Sequence, residues 1–177
     1  MTSCNPKSPI RIDTQQLELR QVSLADAVFL LDLLNDPDFL QNIGDRGVRS
    51  EQQAENYLKT KVIKPQKFDY LGLWVIHSKA EKRPLGVVSV LQRDYLEHLD
   101  LGYALLKHAR GKGVAYEATS AMLEYITQNR KVPVLDAIVK PDNAPSRGLL
   151  TKLGFHSVGT VTSPENEQLC LYRYRKA

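Results

Sequence analysis

The chain has 177 residues, of which 42% are hydrophobic, and 24 Lys and Arg against 20 Asp and Glu leave a formal net charge of +4. This length is typical of one domain with a full hydrophobic core, and the apolar share is that of an ordinary globular protein. The small positive excess suits an anionic ligand, but it is too small and too dispersed to predict direct binding of nucleic acid.

The two cysteines, Cys4 and Cys170, lie at opposite ends of the chain and form no CxxC pair. They therefore predict neither a disulfide framework nor a zinc site. Residues 1–13 are polar and lack the apolar segment of a signal peptide, and no apolar stretch approaches the roughly 18 residues that cross a membrane. We expect a reduced, cytoplasmic protein without a membrane partner.

Residues 1–14 are predicted to form a flexible arm, and residues 15–177 a single domain. The arm leads into residues 16–22, which alternate apolar and polar side chains with period two and predict a strand. A capping serine and apolar residues at helical spacing then predict a helix over residues 23–35. The Asp-Pro-Asp sequence at residues 36–38 is interpreted as the break that ends it.

A second capping box, formed by Ser50 and Gln53, predicts a helix that extends to about residue 62. Segments rich in β-formers and bounded by turns predict six further strands, over residues 71–77, 86–91, 99–106, 134–139, 155–162 and 168–174. Two more helices are predicted over residues 114–129 and 146–153. The order β-α-α-β-β-β-α-β-α-β-β predicts an α/β (α+β) fold, in which a mixed sheet has helices on both faces.

A glycine-rich turn, Arg110-Gly111-Lys112-Gly113-Val114-Ala115, stands between a predicted strand and a predicted helix. Glycine lets the backbone turn tightly and approach a ligand closely. The first N–H groups of the helix lack carbonyl partners and carry the positive end of the helix dipole, and Arg110 and Lys112 add formal charge. The turn therefore predicts a phosphate site, the alternative being a turn without a ligand.

Neither of two common nucleotide-binding motifs is present at this turn. A dinucleotide fingerprint needs a third small residue at the position of Tyr116, and a triphosphate-binding loop needs Ser or Thr at the position of Gly113. Both motifs are excluded.

The turn resembles the Gln/Arg-x-x-Gly-x-Gly/Ala pyrophosphate loop of the GNAT superfamily of acyl-CoA N-acyltransferases, with Arg110, Gly113 and Ala115 in its fixed positions. Three further segments are similar to the branch of Rim-type ribosomal-protein N-terminal acetyltransferases: Gly-Tyr-Ala-Leu at 102–105, Pro-Asp-Asn-Ala-Pro-Ser at 141–146 and Lys-Leu-Gly-Phe at 152–155. The similarity covers about residues 16–174. Several motifs in the right order are more specific than any one of them.

The resemblance implies a GNAT-like fold and acetyl-CoA as co-substrate. No metal is expected, because no His, Cys, Asp or Glu cluster has ligand spacing and acyl transfer from a thioester needs none if backbone donors hold the oxyanion. The resemblance also implies that the glycine-rich turn binds the pyrophosphate and that the main chain of Leu105 and Leu106 contacts the pantetheine, one of these groups polarising the thioester carbonyl. Asn143 and Ser146 are implied to lie beside the pantetheine amide and the sulfur, with the serine as a proton donor to the leaving thiolate. Leu150 stands where many GNAT relatives have a tyrosine acid, which leaves Ser146 or water for that role.

By pattern alone, Asn143 and Ser146 open a predicted helix and are explained as a helix cap. Ser146 also shares a stripe with Leu149, Leu150 and Leu153 at helical spacing. A hydroxyl on an inward stripe needs a partner or a chemical role, so the structural and catalytic interpretations both remain open.

Acetyl transfer also requires an amine that has lost its proton. An alkylammonium group has a pKa of about 10.4, whereas an α-amino group at about 7.7–8.0 is partly neutral near pH 7. Asp100 is a candidate catalytic residue that would relay the proton through water, with Glu97 and His98 as weaker candidates. The alternative is that these are solvated charges of a hairpin.

The polar, glycine-containing segment 39–47 joins the first two predicted helices and is either a cover for the acceptor cleft or an ordinary surface loop. The acceptor itself is open between a protein N-terminal amine and a small-molecule amine. The expected assembly is a monomer or a homodimer. A second class of function, a non-catalytic acyl-CoA-binding or sensing domain, also remains open.

Overall fold

An eight-stranded mixed sheet organises this computed structural model, which describes residues 9–64 and 68–177. The strands are β1 (Arg11–Asp13), β2 (Leu17–Gln21), β3 (Gly72–Ser78), β4 (Pro84–Leu91), β5 (Leu99–Leu105), β6 (Val134–Val139), β7 (His156–Thr162) and β8 (Gln168–Arg175). The α-helices are α1 (Ala27–Leu34), α2 (Pro37–Asn42), α3 (Glu51–Tyr57), α4 (Val114–Glu124) and α5 (Ala144–Lys152). π-helical turns extend α3 over Leu58–Ile63 and α4 over Tyr125–Asn129.

The strand order is β1-β2-β3-β4-β5-β6-β8-β7, and every neighbouring pair is antiparallel except β5 and β6. The parallel register of β5 and β6 consists of two pairs, Leu99 with Leu135 and Asp100 with Asp136. Beyond these pairs the two strands diverge. Residues 101–105 of β5 therefore face a gap that opens toward the carboxyl ends of both strands.

The two faces of the sheet carry separate hydrophobic clusters. One cluster joins the sheet to α4 and α5 and includes Trp74, Met122 and Phe155, all fully buried, whereas the other includes residues of α1, α2 and α3. Burial of each large apolar side chain contributes about 1.5–3 kcal/mol relative to exposure. The mixed sheet with helices on both faces confirms the predicted fold class.

Side chains of β5 alternate between these clusters as period two requires. Leu101 and Tyr103 belong to the α4/α5 side, and Ala104 packs against the α1–α3 side. Asp100 is four residues from Ala104 along the strand, so its side chain lies on the same face as Ala104 and on the face opposite to Tyr103.

The prediction of a flexible arm is wrong for its last part. Residues Arg11–Asp13 form β1, which pairs with β2 in the register Ile12 to Leu19, and Ile12 packs against the core. A three-residue strand is too short for an alternation signal, and its stability comes from this pairing. Residues 1–8, which include Cys4, lie outside the described residues.

The predicted break at residues 36–38 is confirmed, since α1 ends at Leu34, but the same residues also begin α2, a helix that was not predicted. The Asp36 carboxylate accepts a hydrogen bond from the Asp38 N–H at 3.0 Å, and Pro37 occupies the first helical position. Proline is favoured there because the N–H that it lacks would have no helical partner. The segment 39–47 is therefore helical up to Asn42, where a loop had been predicted.

Within the described ranges, every helix is too short or too polar to cross a membrane.

Candidate functional site

The glycine-rich turn leaves open space at the start of α4. Gly111 and Gly113 have φ values of +71° and +79°, and a Cβ at either position would find no heavy atom within 4 Å. Gly113 is the N-cap and supplies no capping side chain. The first helical hydrogen bond runs from the Glu117 N–H to the Gly113 carbonyl at 3.0 Å, so the three N–H groups before it have no acceptor within the helix. Free donors, a helix dipole and open space together suit an anionic phosphate.

The guanidinium of Arg110 has its hydrogen bonds inside the protein. It lies 2.5 Å from an Asp36 oxygen and 2.7 Å from an Asp38 oxygen, and it donates to the Leu105 carbonyl at 2.8 and 3.1 Å. The prediction that its charge serves the phosphate site is not supported by this geometry, because two carboxylates already compensate it. The charge at the turn comes from Lys112, which is exposed.

Asp36 is mostly buried, with 8% of its surface exposed. Burial by itself acts to raise the pKa of Asp36, but hydrogen bonds from Arg110 and from the Asp38 N–H outweigh it and hold that pKa below its usual value. Asp36 is therefore an anion at neutral pH and a permanent partner of Arg110.

The main-chain groups of Leu106 already have protein partners. Its N–H donates to the Leu85 carbonyl at 2.9 Å, and its carbonyl accepts from the Ala109 N–H at 3.0 Å. The pantetheine contacts implied for Leu105 and Leu106 stay predictions, and those of Leu106 require these bonds to be exchanged.

Gly86 on β4 is a positioning residue that sequence reasoning missed. It lies opposite Leu105, and a Cβ there would collide with the Ala104 carbonyl oxygen and come within 2.9 Å of the Leu105 Cα. Only glycine lets β4 lie this close to the end of β5. A glycine inside a predicted strand was the available signal for such a close approach.

Ser146 contacts a tyrosine on the neighbouring strand. The Ser146 Oγ lies 2.7 Å from the Tyr103 hydroxyl oxygen, which is also 3.3 Å from the Ser146 carbonyl. The Asn143 side chain accepts from the Ser146 N–H at 3.3 Å and so caps α5. The structure thus brings together the predicted Asn143 and Ser146, and it adds Tyr103 from across the gap between β5 and β6.

Tyr103 is separated from Ser146 by 43 residues, so no local pattern could pair them. Burial raises the pKa of Tyr103, and the hydrogen bond to Ser146 partly opposes that shift. The phenol is therefore protonated at neutral pH and is available as a hydrogen-bond donor. Leu150, which stands where relatives have a tyrosine acid, is buried in the core.

Asp100 lies at the closed end of the gap in a buried ion pair. It is 3% exposed, and its Oδ2 lies 2.5 Å from the Arg93 Nε. Its register neighbour Asp136 is fully buried and receives two hydrogen bonds from Arg173, at 2.7 and 3.1 Å. Burial and then the charge of Asp136 raise the pKa of Asp100, whereas Arg93 lowers it, and the net direction is upward.

The structure does not bring Asp100 and Ser146 together, because they lie on opposite faces of the sheet. Glu97 is largely exposed and pairs with Arg173 at 3.1 Å, and His98 Nε2 lies 3.5 Å from the Glu97 carboxylate. The catalytic role of Asp100 stays a prediction. Its alternative, a solvated hairpin charge, is wrong, because Asp100 is buried and paired with Arg93.

A cavity of about 500 Å³ lies beside the loop that follows α2 and against the outer side of α3. Arg46, Val48, Gln53 and Tyr57 contribute to its wall, which combines polar and apolar surface. This cavity lies next to segment 39–47, the segment predicted to cover the acceptor cleft. No contact in the structure tests that prediction. Among residues 9–64 and 68–177, no group of three or more His, Cys, Asp or Glu side chains could hold a metal ion.

Comparison with known proteins identifies the family. The family described as an acetyltransferase (GNAT) domain matches residues 16–156. YjcK of Bacillus subtilis (strain 168), a probable N-acetyltransferase, is 35% identical over 86 residues, which make up 48% of this chain and 48% of that protein. The ribosomal protein uS5-alanine N-acetyltransferase of Escherichia coli (strain K12) is 32% identical over 92 residues, 51% of this chain and 46% of that protein. In both alignments the chain spans about half the length of the curated relative.

The fold also matches solved structures. RimL, a ribosomal L7/L12 alpha-N-protein acetyltransferase solved in complex with coenzyme A, superposes with a TM-score of 0.81 at 16% identity, over 94% of this chain and 98% of that one. At this identity the similarity shows a shared fold alone. The family match, by contrast, covers most of the chain and includes both the glycine-rich turn and Ser146. The chain therefore belongs to the GNAT family of N-acetyltransferases.

Proposed function

We propose that this protein transfers the acetyl group of acetyl-CoA to a primary amine by direct attack. The observation that carries the proposal is the gap between β5 and β6. The start of α4, which has no side-chain cap and open space around it, lies near the β5 side of this gap, and Ser146 lies on the β6 side. The free N–H groups of α4 would hold the pyrophosphate, and the arm of the co-substrate would enter the gap. The pairing of β5 with β6 ends at Asp100, which leaves room for it.

The chemistry needs few protein groups. The amine nitrogen attacks the thioester carbonyl carbon, and the developing oxyanion is stabilised by a main-chain donor near the end of β5. The C–S bond then breaks with its electron pair going to sulfur, and the Ser146 hydroxyl donates its proton there. The nitrogen loses one proton through water to the serine oxygen, so amide and thiol are the products.

The acceptor that this site favours is an α-amino group. An alkylamine would need a strong base, and Asp100 is committed to Arg93 within a buried pair. An α-amino group with a pKa of about 7.7–8.0 needs little help. The E. coli relative is named for an alanine of a ribosomal protein, which supports a protein N-terminus as acceptor.

The test is release of thiol from acetyl-CoA with two panels of acceptors. One panel contains short peptides that begin with Ala, Ser or Met, each with an N-acetylated copy as control, and the other contains polyamines, amino sugars and aminoglycosides. We expect turnover with free peptide N-termini and none with the blocked copies. Turnover with the second panel alone would replace the protein acceptor by a small molecule. Binding of CoA without release in either panel would identify the non-catalytic class.

A further inference from the structure

We propose that Tyr103 is a positioning residue for Ser146: the phenol donates a hydrogen bond to the Ser146 Oγ and leaves the serine proton directed at the departing sulfur. The inference rests on the proposed transferase function, and it gives a role to Tyr103, a residue of the Gly-Tyr-Ala-Leu segment to which neither the resemblance nor the sequence pattern assigned one.

The first argument is the geometry of the contact. The two hydroxyl oxygens are 2.7 Å apart, the usual distance of an O–H to O hydrogen bond, while the Ser146 carbonyl is 3.3 Å from the same phenol. The phenol has one proton and can donate to only one of these oxygens at a time, and the Oγ is the closer of the two. This contact links the side chain of Ser146, in the first turn of α5, to β5.

The second argument concerns what the Ser146 hydroxyl is not needed for. A serine in the first turn of a helix often bonds to a backbone group of its own turn, which would make it a structural cap. Here the Asn143 side chain already caps α5 by accepting from the Ser146 N–H. The Ser146 hydroxyl is therefore not required by its helix.

The third argument is a count of donors. A serine hydroxyl has one proton and can accept two hydrogen bonds, and a protonated phenol has one proton to donate. When Tyr103 donates to the Oγ, the serine proton has no protein acceptor in that contact. The half-buried Ser146 at the opening of the gap can then donate to a sulfur. Without Tyr103, the serine would be free to rotate between several acceptors.

The experiment compares kcat and the KM for acetyl-CoA in Tyr103→Phe, in Ser146→Ala and in the double variant, using a peptide acceptor found in the panel above. Tyr125→Phe is the matched control, because it also removes a hydrogen-bonded phenol oxygen, but on the far end of α4 beside Trp74 and Arg130. Ser146→Thr, alone and with Tyr103→Phe, keeps a hydroxyl at the position and tests whether the tyrosine acts through it.

We expect Tyr103→Phe to lower kcat about tenfold, the effect of one ordinary hydrogen bond, with an almost unchanged KM for acetyl-CoA. The double variant should be no slower than Ser146→Ala, because both changes remove one function. Ser146→Thr should retain most of kcat with Tyr103 and lose about tenfold without it. Tyr125→Phe should have the kcat of the unmodified protein.

Three results would overturn the positioning role. The first is an unchanged kcat in Tyr103→Phe while Ser146→Ala lowers kcat. The second is a double variant whose loss of kcat equals the product of the two single losses. The third is a Tyr103→Phe variant that has a raised KM for acetyl-CoA or a lowered thermal midpoint but an unchanged kcat. Should Tyr103→Phe fail to fold, the tyrosine has a structural role and the proposal is lost. An unmodified protein that binds CoA but turns over no acceptor would remove the proposed function itself, and the positioning role with it.

Discussion

Arg110 in the glycine-rich turn donates to the Asp36 carboxylate at the start of α2, across 74 residues of sequence. The same guanidinium donates to the Leu105 carbonyl at the end of β5. One cation therefore joins the start of α2 to the end of β5, the strand that borders the gap. We infer that Arg110 acts on the co-substrate through the shape of β5, and its charge contributes little to phosphate binding.

Asp36→Asn tests this relationship. Asn caps a helix about as well as Asp, so α2 keeps its cap and only the charge facing Arg110 is lost. We expect a loss of about 1–3 kcal/mol of unfolding free energy, because a partly buried cation loses its charged partner. CoA affinity should fall several-fold, with no change in its dependence on salt. Calorimetry at two ionic strengths, with thermal unfolding of the same samples, measures all three quantities.

If Arg110 instead bound phosphate directly, freeing it from Asp36 would raise CoA affinity and steepen the salt dependence. Arg110→Gln provides the complementary variant. A large salt-dependent loss of affinity in that variant, with an unchanged thermal midpoint, would return Arg110 to the phosphate site.

The glycine-rich turn is tested by Gly113→Asn. Its φ of +79° disfavours most side chains, but Asn tolerates this region, so the fold should survive while the side chain enters the open space beside α4. We expect CoA affinity to fall at least tenfold. Gly47→Asn is the control, because Gly47 has a similar φ of +68°, open space around it and a place in the loop after α2. Equal CoA affinity in both folded variants would count against backbone binding of the pyrophosphate.

The hydrogen bonds of Asp26 predict how the free energy of unfolding depends on pH. Burial acts to raise the pKa of Asp26, but hydrogen bonds from Arg20 at 2.8 and 2.9 Å and from the Ser23 N–H at 2.8 Å outweigh it and hold the pKa below its usual value. A carboxyl with a lower pKa in the folded state stabilises the fold above its unfolded pKa of about 3.9, and this stabilisation is lost as the pH falls through the folded pKa.

Asp26→Asn should therefore lower stability at neutral pH by about 1–3 kcal/mol and flatten the loss of stability below about pH 4. Asp32→Asn on α1, where the side chain is exposed, is the control and should leave both unchanged. Urea unfolding at a series of pH values measures the effect. If the free energy of unfolding falls as steeply below pH 4 in Asp26→Asn as in the unmodified protein, the Asp26 carboxyl is not the cause of that fall.

Asp100→Asn decides between the two roles of Asp100. Because the pKa of Asp100 is raised, its charge does not stabilise the fold, and the pair with Arg93 predicts little change in stability and a pH profile of kcat/KM that keeps its shape. A general base predicts instead a 10²–10⁴-fold loss of rate and a missing acidic limb. Asp136→Asn is the matched control, since Asp136 is equally buried and paired with Arg173. A rate loss confined to Asp100→Asn at normal stability would establish the catalytic role.

Some parts of the fold could be predicted because their signals are local. The strand at 134–139 has the bounds of β6, and the glycine-rich turn begins a helix at Val114, because β-formers, turns and glycines act within a few residues. The start of α2 was also a local signal, an Asp cap followed by Pro at the first helical position. It was missed because the Asp-Pro-Asp sequence was interpreted only as the end of the preceding helix, although Pro also favours the first turn of the next one.

The sequence by itself determined the family, the order of the elements other than β1 and α2, and the place of Ser146 and the glycine-rich turn, since each of these depends on motifs and spacings along the chain. Only the tertiary structure decided which partners these residues have. It paired Tyr103 with Ser146, Arg110 with Asp36, and the buried Asp100 with the half-buried Arg93. Contacts across dozens of residues depend on sheet order, strand divergence and burial, and no local pattern records them.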